Sequence, residues 1–246
     1  MAASDQITLW GAIMRKLLVL FLFLVFFAFT TFAGELFQAE GFSEGTTVIW
    51  FLGTEITTEF EGTQQLRGTL TLGETTHRFS VSGDAYGAGI ADSMILSASL
   101  WVVFYATGAL ETGEPITIRG GMDVGGEEVD IHSLSFGGGG GTFFFIVDLP
   151  GATYEFSGSS KSTASGILIP ARDPSSMEVA GTAISTFEGT ICSLDGEVAA
   201  RLPWDTTAWP LELHEELLTL LLTGVMPERQ EDEPQPQEPT PHREAP

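Results

Sequence analysis

Residues 55–81 read EITTEFEGTQQLRGTLTLGETTHRFSV and hold the clearest pattern in the chain. Inward and outward positions alternate on both sides of Gly73 and Glu74, as is typical of strands with one face in a core. Residues 70–81 therefore predict a β-hairpin that turns at Gly73-Glu74. The positions on the predicted inward face are Ile56, Thr58, Phe60, Leu66, Gly68, Leu70, Leu72, His77, Phe79 and Val81.

Short runs of β-forming residues separated by glycine continue from about residue 45 to residue 202. Many short strands with glycine-rich turns are typical of a β-sandwich or an up-and-down barrel, and both architectures give this alternation. We predict an all-β domain of many short antiparallel strands over residues 34–203. Further strands are predicted at 46–52, 114–119, 128–136, 142–148, 152–157, 165–169, 177–187, 190–194 and 196–202.

Residues 93–106, SMILSASLWVVFYA, are apolar at both odd and even positions. A strand buried on both faces belongs in the middle of a sandwich or in a barrel wall between lumen and lipid. The second placement leaves an outer-membrane β-barrel open as an alternative.

The N-terminal region has the three parts of a secretory signal peptide. Arg15 and Lys16 precede the apolar run 17–29, and the small residues Ala33 and Gly34 follow it. We predict a signal peptide over residues 1–33, with Met14 as an alternative initiator. An uncleaved anchor helix is the other interpretation, since about 18–20 apolar residues span a bilayer. The protein is expected to be secreted, periplasmic or at the cell surface.

The chain is strongly acidic, with a formal net charge of −23. This charge repels nucleic-acid phosphates and anionic lipid headgroups. We expect no nucleic-acid partner, and membrane contact only through the signal segment unless the outer-membrane alternative holds. Cys192 is the single cysteine and cannot form an internal disulfide; we interpret it as a small buried apolar residue.

Residues 204–225 predict a connector followed by an amphipathic helix, with Pro210 at its first position and Gly224 at its end. The helix is expected to dock on the domain or to cover a sheet edge. Residues 226–246 are acidic and proline-rich and predict a disordered tail. The apolar stripe of the helix consists of Leu213, Leu217, Leu220 and Leu221.

Glu128, Asp130 and His132 share one face of a predicted strand. Two carboxylates and an imidazole can hold a divalent metal ion or perform acid–base chemistry, whereas the alternative is a solvated strand face. The run resembles the Glu-x-Asp-x-Glu strand of laminarinase-like jelly-roll glycosidases, whose outer glutamates act as nucleophile and general acid. This resemblance matches Glu128 and Asp130 only, because His132 stands where the second glutamate belongs.

The remaining polar stretches are interpreted as connections. The five-glycine run 137–141 predicts a flexible connector and residues 157–165 a polar loop, while residues 83–93 lack the twelve-residue calcium-loop pattern. No cofactor motif is evident, so no cofactor is expected.

Taken together, the sequence patterns favour a non-enzymatic binding or structural β domain whose ligand is unknown. The alternatives are an outer-membrane barrel, a soluble barrel that holds an apolar ligand and, last, a jelly-roll glycosidase. The apolar-ligand alternative rests on 18 phenylalanines, more than one packed core requires.

Overall fold

The computed structural model describes residues 35–52, 55–92, 97–126, 128–130, 134–192 and 210–225. The predicted signal segment 1–33, the predicted strand 196–202 and the predicted tail 226–246 lie outside these residues. In the part of the chain that is described, no helix is long and apolar enough to cross a membrane.

The described chain forms nine antiparallel strands in one sheet. Each long strand pairs with the strands before and after it, and the last strand, β9, pairs with the first, β1. The three-residue β6 continues the line of β5 along β7, so the remaining eight strands form a closed ring. The strands are β1 (Leu36–Leu52), β2 (Glu55–Leu72), β3 (Thr75–Asp92), β4 (Ser97–Leu110), β5 (Pro115–Gly126), β6 (Glu128–Asp130), β7 (Ser135–Leu149), β8 (Ala152–Ile169) and β9 (Ser176–Ile191).

This topology is an up-and-down barrel, which decides between the two all-β architectures that the sequence left open. The sequential pairing also differs from the Greek-key connections of a jelly roll. The predicted β2–β3 hairpin is confirmed, because Leu72 pairs with Thr75 across a turn at Gly73 and Glu74. Gly73 has a φ of 61°, a left-handed conformation that favours glycine.

Two stretches interpreted as connections lie inside strands instead. The serine-rich residues 157–165 belong to β8, which also unites the predicted strands 152–157 and 165–169. The five-glycine run lies in β7, where a Cβ on Gly141 would come within 1.8 Å of the carbonyl oxygen of Asp123. Pairing on both sides in a closed sheet therefore overrides the weak strand propensity of serine and glycine. Residues 83–92 likewise belong to β3 and not to a calcium loop.

Helix α1 (Leu211–Thr223) packs on the outside of the barrel wall. Its predicted apolar stripe is confirmed, since Leu213, Leu217, Leu220 and Leu221 are each at most 2% exposed. They pack against outward side chains of β4 and β7, namely Trp101, Val103, Phe144 and Ile146. The helix covers a sheet face and no edge, because the sheet is closed.

This docking explains why residues 97–106 are apolar at odd and even positions. Val102 and Phe104 face the barrel interior, whereas Trp101 and Val103 lie beneath the helix. Helix α1 therefore covers this part of the outer face of β4, for which the sequence had left contact with lipid open.

Both ends of the helix lie at or next to the positions that the sequence predicts. Gly224 adopts the left-handed C-cap conformation, and its amide donates to the carbonyl of Leu220 at 2.9 Å. Pro210 directly precedes the first helical residue, one position earlier than predicted. The Arg119 guanidinium lies near Gly224 and pairs with Asp148, so a positive charge stands at the negative end of the helix dipole.

The barrel interior is filled in the half that contains the β2–β3, β4–β5 and β7–β8 turns, which we call the packed half. Seven phenylalanine rings meet there, with contacting centroids 4.3–5.7 Å apart. Such offset and edge-to-face contacts add to the hydrophobic stabilisation of the core. The phenylalanine cluster consists of Phe37, Phe79, Phe104, Phe143, Phe145, Phe156 and Phe187.

Candidate functional site

The opposite half of the barrel interior, which we call the hollow half, is lined by smaller side chains. On β9 the inward residues change from Phe187 through Ser185 and Ala183 to Gly181 along one strand. A cavity of about 250 Å³ remains where these side chains fail to fill the interior. The cavity reaches the surface between rim residues such as Phe51, which is 48% exposed.

The wall of this cavity is mostly apolar. Buried side chains from β2, β4 and β9 contribute Ile56, Val102 and Val179. Among the described residues that line the cavity, none carries an ionisable side chain. A wall of this kind fits an uncharged apolar molecule.

Four buried polar side chains form a band on the inner wall between the two halves. Ser43 and Gln64 face each other across β1 and β2, and Ser162 and Ser185 face each other across β8 and β9. Because β2, β1, β9 and β8 are consecutive neighbours in the ring, the four side chains form one polar band. All four are at most 7% exposed, and both hydroxyls of the second pair line the cavity, as does Ser43.

Hydrogen bonds join the members of the polar band in pairs. The Ser43 hydroxyl donates to the Gln64 side-chain carbonyl, and the Ser162 and Ser185 oxygens lie 2.8 Å apart. A hydroxyl donates once and accepts up to twice, so the bond between two serines uses only one of their two protons. The pair thus retains one O–H donor and acceptor lone pairs at the inner end of the cavity.

Two of the three predicted metal candidates lie on the short strand β6. Glu128 and Asp130 are alternate residues of β6, which pairs with β7 at Gly137 and Ser135. His132 and the side chains of Glu128 and Asp130 lie outside the described residues. Within those residues no group of three His, Cys, Asp or Glu side chains could hold a metal ion. The metal site therefore stays a prediction.

Cys192 lies directly after β9 at the edge of the apolar cluster under α1. The residue is half-buried, and its amide donates to the Glu155 carbonyl at 2.8 Å. Burial raises the pKa of the Cys192 thiol, and the nearby Glu155 carboxylate adds to this rise. The raised pKa makes this thiol a poor nucleophile near neutral pH.

Where α1 does not cover the outer wall of the barrel, most outward side chains are polar, and the paired Phe42 and Ile184 are exposed apolar exceptions. Exposed charged side chains occupy the middle of β1, β2 and β9, for example Glu40, Arg67 and Glu188. A shallow depression on this wall holds Arg67 and Lys161 beside Glu40 and Glu188, so its positive and negative charges balance.

No family model matches this chain, and no curated protein matches it. Among solved structures, the chain is similar to a non-toxic crystal protein from Bacillus thuringiensis at 12% identity, over 66% of this chain and 71% of that one. The TM-score is 0.09, so this likeness carries no argument about fold or function.

Sequence reasoning offered a barrel that holds an apolar ligand as an alternative, but it located neither the cavity nor the polar band. The signal lies in the small residues at alternate positions of three strands, as in 43–47, 162–166 and 181–185. These positions look like weak strand or loop until the barrel closes and places them on one inner surface.

Proposed function

We propose that this barrel binds a small apolar molecule in the cavity of its hollow half. The observation that carries the proposal is an apolar cavity of about 250 Å³ inside a closed sheet, open to the surface at one end. Barrels with such interiors use them as ligand sites. The function is binding, and it requires none of the side chains of acid–base catalysis.

The volume sets the size of the ligand. An engineered apolar cavity of about 150 Å³ binds benzene, so by proportion a cavity of this size takes on the order of ten non-hydrogen atoms. Burial of about eight methylene groups at roughly 0.8 kcal/mol each gives about 6 kcal/mol. That free energy corresponds to a Kd on the order of 10–100 μM.

The barrel wall makes the cavity a preformed site. Continuous antiparallel ladders hold lining strands on both sides, for example β9 between β8 and β1. A ligand that enters a preformed cavity loses little free energy to ordering of the protein.

The polar outer wall supports a barrel that is surrounded by water. A membrane barrel needs an outward apolar band, and here the outward positions include Glu40, Glu59, Glu61 and Arg67. We therefore favour the water-exposed barrel over the outer-membrane alternative. Its location outside the cytoplasm rests on the signal-peptide prediction for residues 1–33.

Titration of naphthalene into the purified full chain, followed by calorimetry at several temperatures, tests the proposal. We expect saturable binding with a negative heat-capacity change, because apolar surface is buried. Ala164 lines the cavity, whereas Thr163 is exposed on the outer face of the same strand. Ala164→Phe should weaken binding at least about tenfold by filling the cavity, and Thr163→Phe should leave it unchanged.

Two outcomes contradict the proposal. The first is the absence of saturable binding by the wild-type chain. The second is an Ala164→Phe variant that keeps its β-rich circular-dichroism spectrum and binds naphthalene as tightly as the wild type.

A further inference from the structure

We infer that the natural ligand is an uncharged molecule with one hydroxyl, ester or ketone group, and that this group enters first and hydrogen-bonds to the polar band. The inference rests on the proposed function and adds the chemical class and orientation of the ligand. The apolar part then lies toward the open end, against the wall around Ile56 and Val179.

The position of the polar band supports this orientation. Ser185 lies two residues from Phe187 of the phenylalanine cluster, and Ala183 follows on the side of the hollow half. The band therefore stands at the inner end of the cavity, where a ligand entering from the rim stops. A purely apolar occupant would leave these buried hydroxyls facing hydrocarbon.

The hydrogen-bonding capacity at this level exceeds what the protein itself uses. The Ser162–Ser185 pair keeps one donor and several lone pairs after its mutual bond. One inward position deeper on β8, behind the residues that line the cavity, Ser160 is 2% exposed and its hydroxyl has no hydrogen-bond partner within the described chain. Buried polar groups in native proteins normally have partners, so unused capacity at a cavity end points to a polar ligand group.

The charge of the site excludes ionised ligands. No described lining residue is ionisable, so no described side chain of the wall would pair with a carboxylate or an ammonium group. An unpaired charge taken from water into such a site costs several kcal/mol. The acidic chain as a whole adds further repulsion for anions. A fatty-acid carboxylate is therefore a poor ligand, whereas its neutral ester is a good one.

A matched pair of probes tests the charge argument. Methyl heptanoate and octanoate have the same number of non-hydrogen atoms and differ in charge at about pH 7. Each is used to displace naphthalene from the full chain. We expect methyl heptanoate and octanol to compete, and octanoate to be at least about 100-fold weaker than the ester. Comparable competition by octanoate would overturn the inference.

A pair of variants tests the role of the polar band. In the Ser162→Ala/Ser185→Ala double variant, octanol should bind about five- to tenfold more weakly, the effect of one lost hydrogen bond. Naphthalene should bind this variant as well as the wild type, which also shows that the cavity is intact. Ser159→Ala, on the exposed outer face of β8, is the control and should change neither affinity.

The outcomes separate the two proposals. If naphthalene fails to bind, the proposed function fails. If naphthalene binds while octanol binds the double variant as tightly as the wild type, the cavity function stands and the inferred ligand class is wrong.

Discussion

The two halves of the barrel interior are built from the same strands and differ in the size of their inward side chains. In the packed half, phenylalanines such as Phe145 and Phe187 fill the interior completely. In the hollow half, Ala164, Ala183 and Gly181 occupy equivalent inward positions and leave a cavity. Alternation thus determines which face of each strand is inside, and side-chain volume determines whether that interior is a packed core or a cavity.

The comparison also indicates how close packing and open space are divided along the barrel axis. Close-packed rings supply dispersion and hydrophobic stabilisation in one half. The other half has fewer such contacts and contains the cavity that opens to the surface. A domain can keep a hollow half when the rest of its core is large enough to hold it folded.

The largest expected effect comes from removal of a ring in the packed half. Phe145 is fully buried and contacts four other rings: Phe37, Phe104, Phe143 and Phe187. Phe145→Ala should lower the free energy of unfolding by about 3–5 kcal/mol, because a large cavity remains in a rigid surrounding. Urea denaturation measures the loss.

Phe51→Ala is the matched change in the hollow half. Phe51 is about half exposed at the rim, so its removal should cost less than about 1 kcal/mol. Equal losses for the two phenylalanine variants would contradict the division of the interior into packed and hollow halves.

The next largest loss of stability is expected on the outer surface, where a buried and an exposed leucine of α1 can be compared. Leu217 of α1 is fully buried against the barrel wall, whereas Leu222 is 63% exposed. Leu217→Ala should destabilise the fold by about 2–5 kcal/mol, because the helix then packs against β4 with a void. Leu222→Ala should have little effect on the same urea transition. If the two leucine variants behaved alike, the helix would not be docked as described.

A smaller effect on stability is expected when a larger side chain is placed at an inward position of each half. Ala106 is fully buried in the packed half, and Ala183 lines the cavity. Ala106→Leu should cost about 1–3 kcal/mol through overpacking. Ala183→Leu should leave the thermal midpoint unchanged or raise it, because the added methyl groups enter empty space. A strong loss of stability in Ala183→Leu would indicate that this half is already filled.

The smallest expected effect concerns pH and Cys192, near the packed end of the barrel. Burial raises the pKa of this thiol in the folded chain above its ordinary value of 9.0. Above that pH the unfolded chain loses the proton first, so the folded chain binds more protons and stability falls as pH rises. The fall should be absent in Cys192→Ala, and the difference between the two chains in urea midpoint from pH 8 to pH 10 measures it.

Much of the fold follows from the sequence because alternation is a local signal. Residues 70–81 predict their hairpin, and the leucine stripe predicts which side of α1 is buried. The doubly apolar residues 93–106 predict burial on both faces, which the described residues 97–106 show, although the sequence does not indicate what covers the outer face. That cover is a helix more than one hundred residues away in the chain.

The candidate site could not be predicted in the same way. Its wall requires β1 to pair with β9, as in the register of Ser43 with Ala183, and no local pattern specifies such a distant pairing. The serine and glycine runs also hide their strand character, since their low propensity is overcome only by partners on both sides. The cavity depends both on closure of the barrel and on the small volume of the inward side chains, and neither is a local property of the sequence.

The pairing of β1 with β9 affects the order in which the protein folds. The first and last strands form a seam, and residues on both sides of that seam line the cavity. Contacts between residues far apart in the sequence slow folding, since the chain between them must be ordered before they form. The cavity is therefore complete only after β1 and β9 have paired, and a nascent or truncated chain without β9 lacks both the closed wall and the cavity.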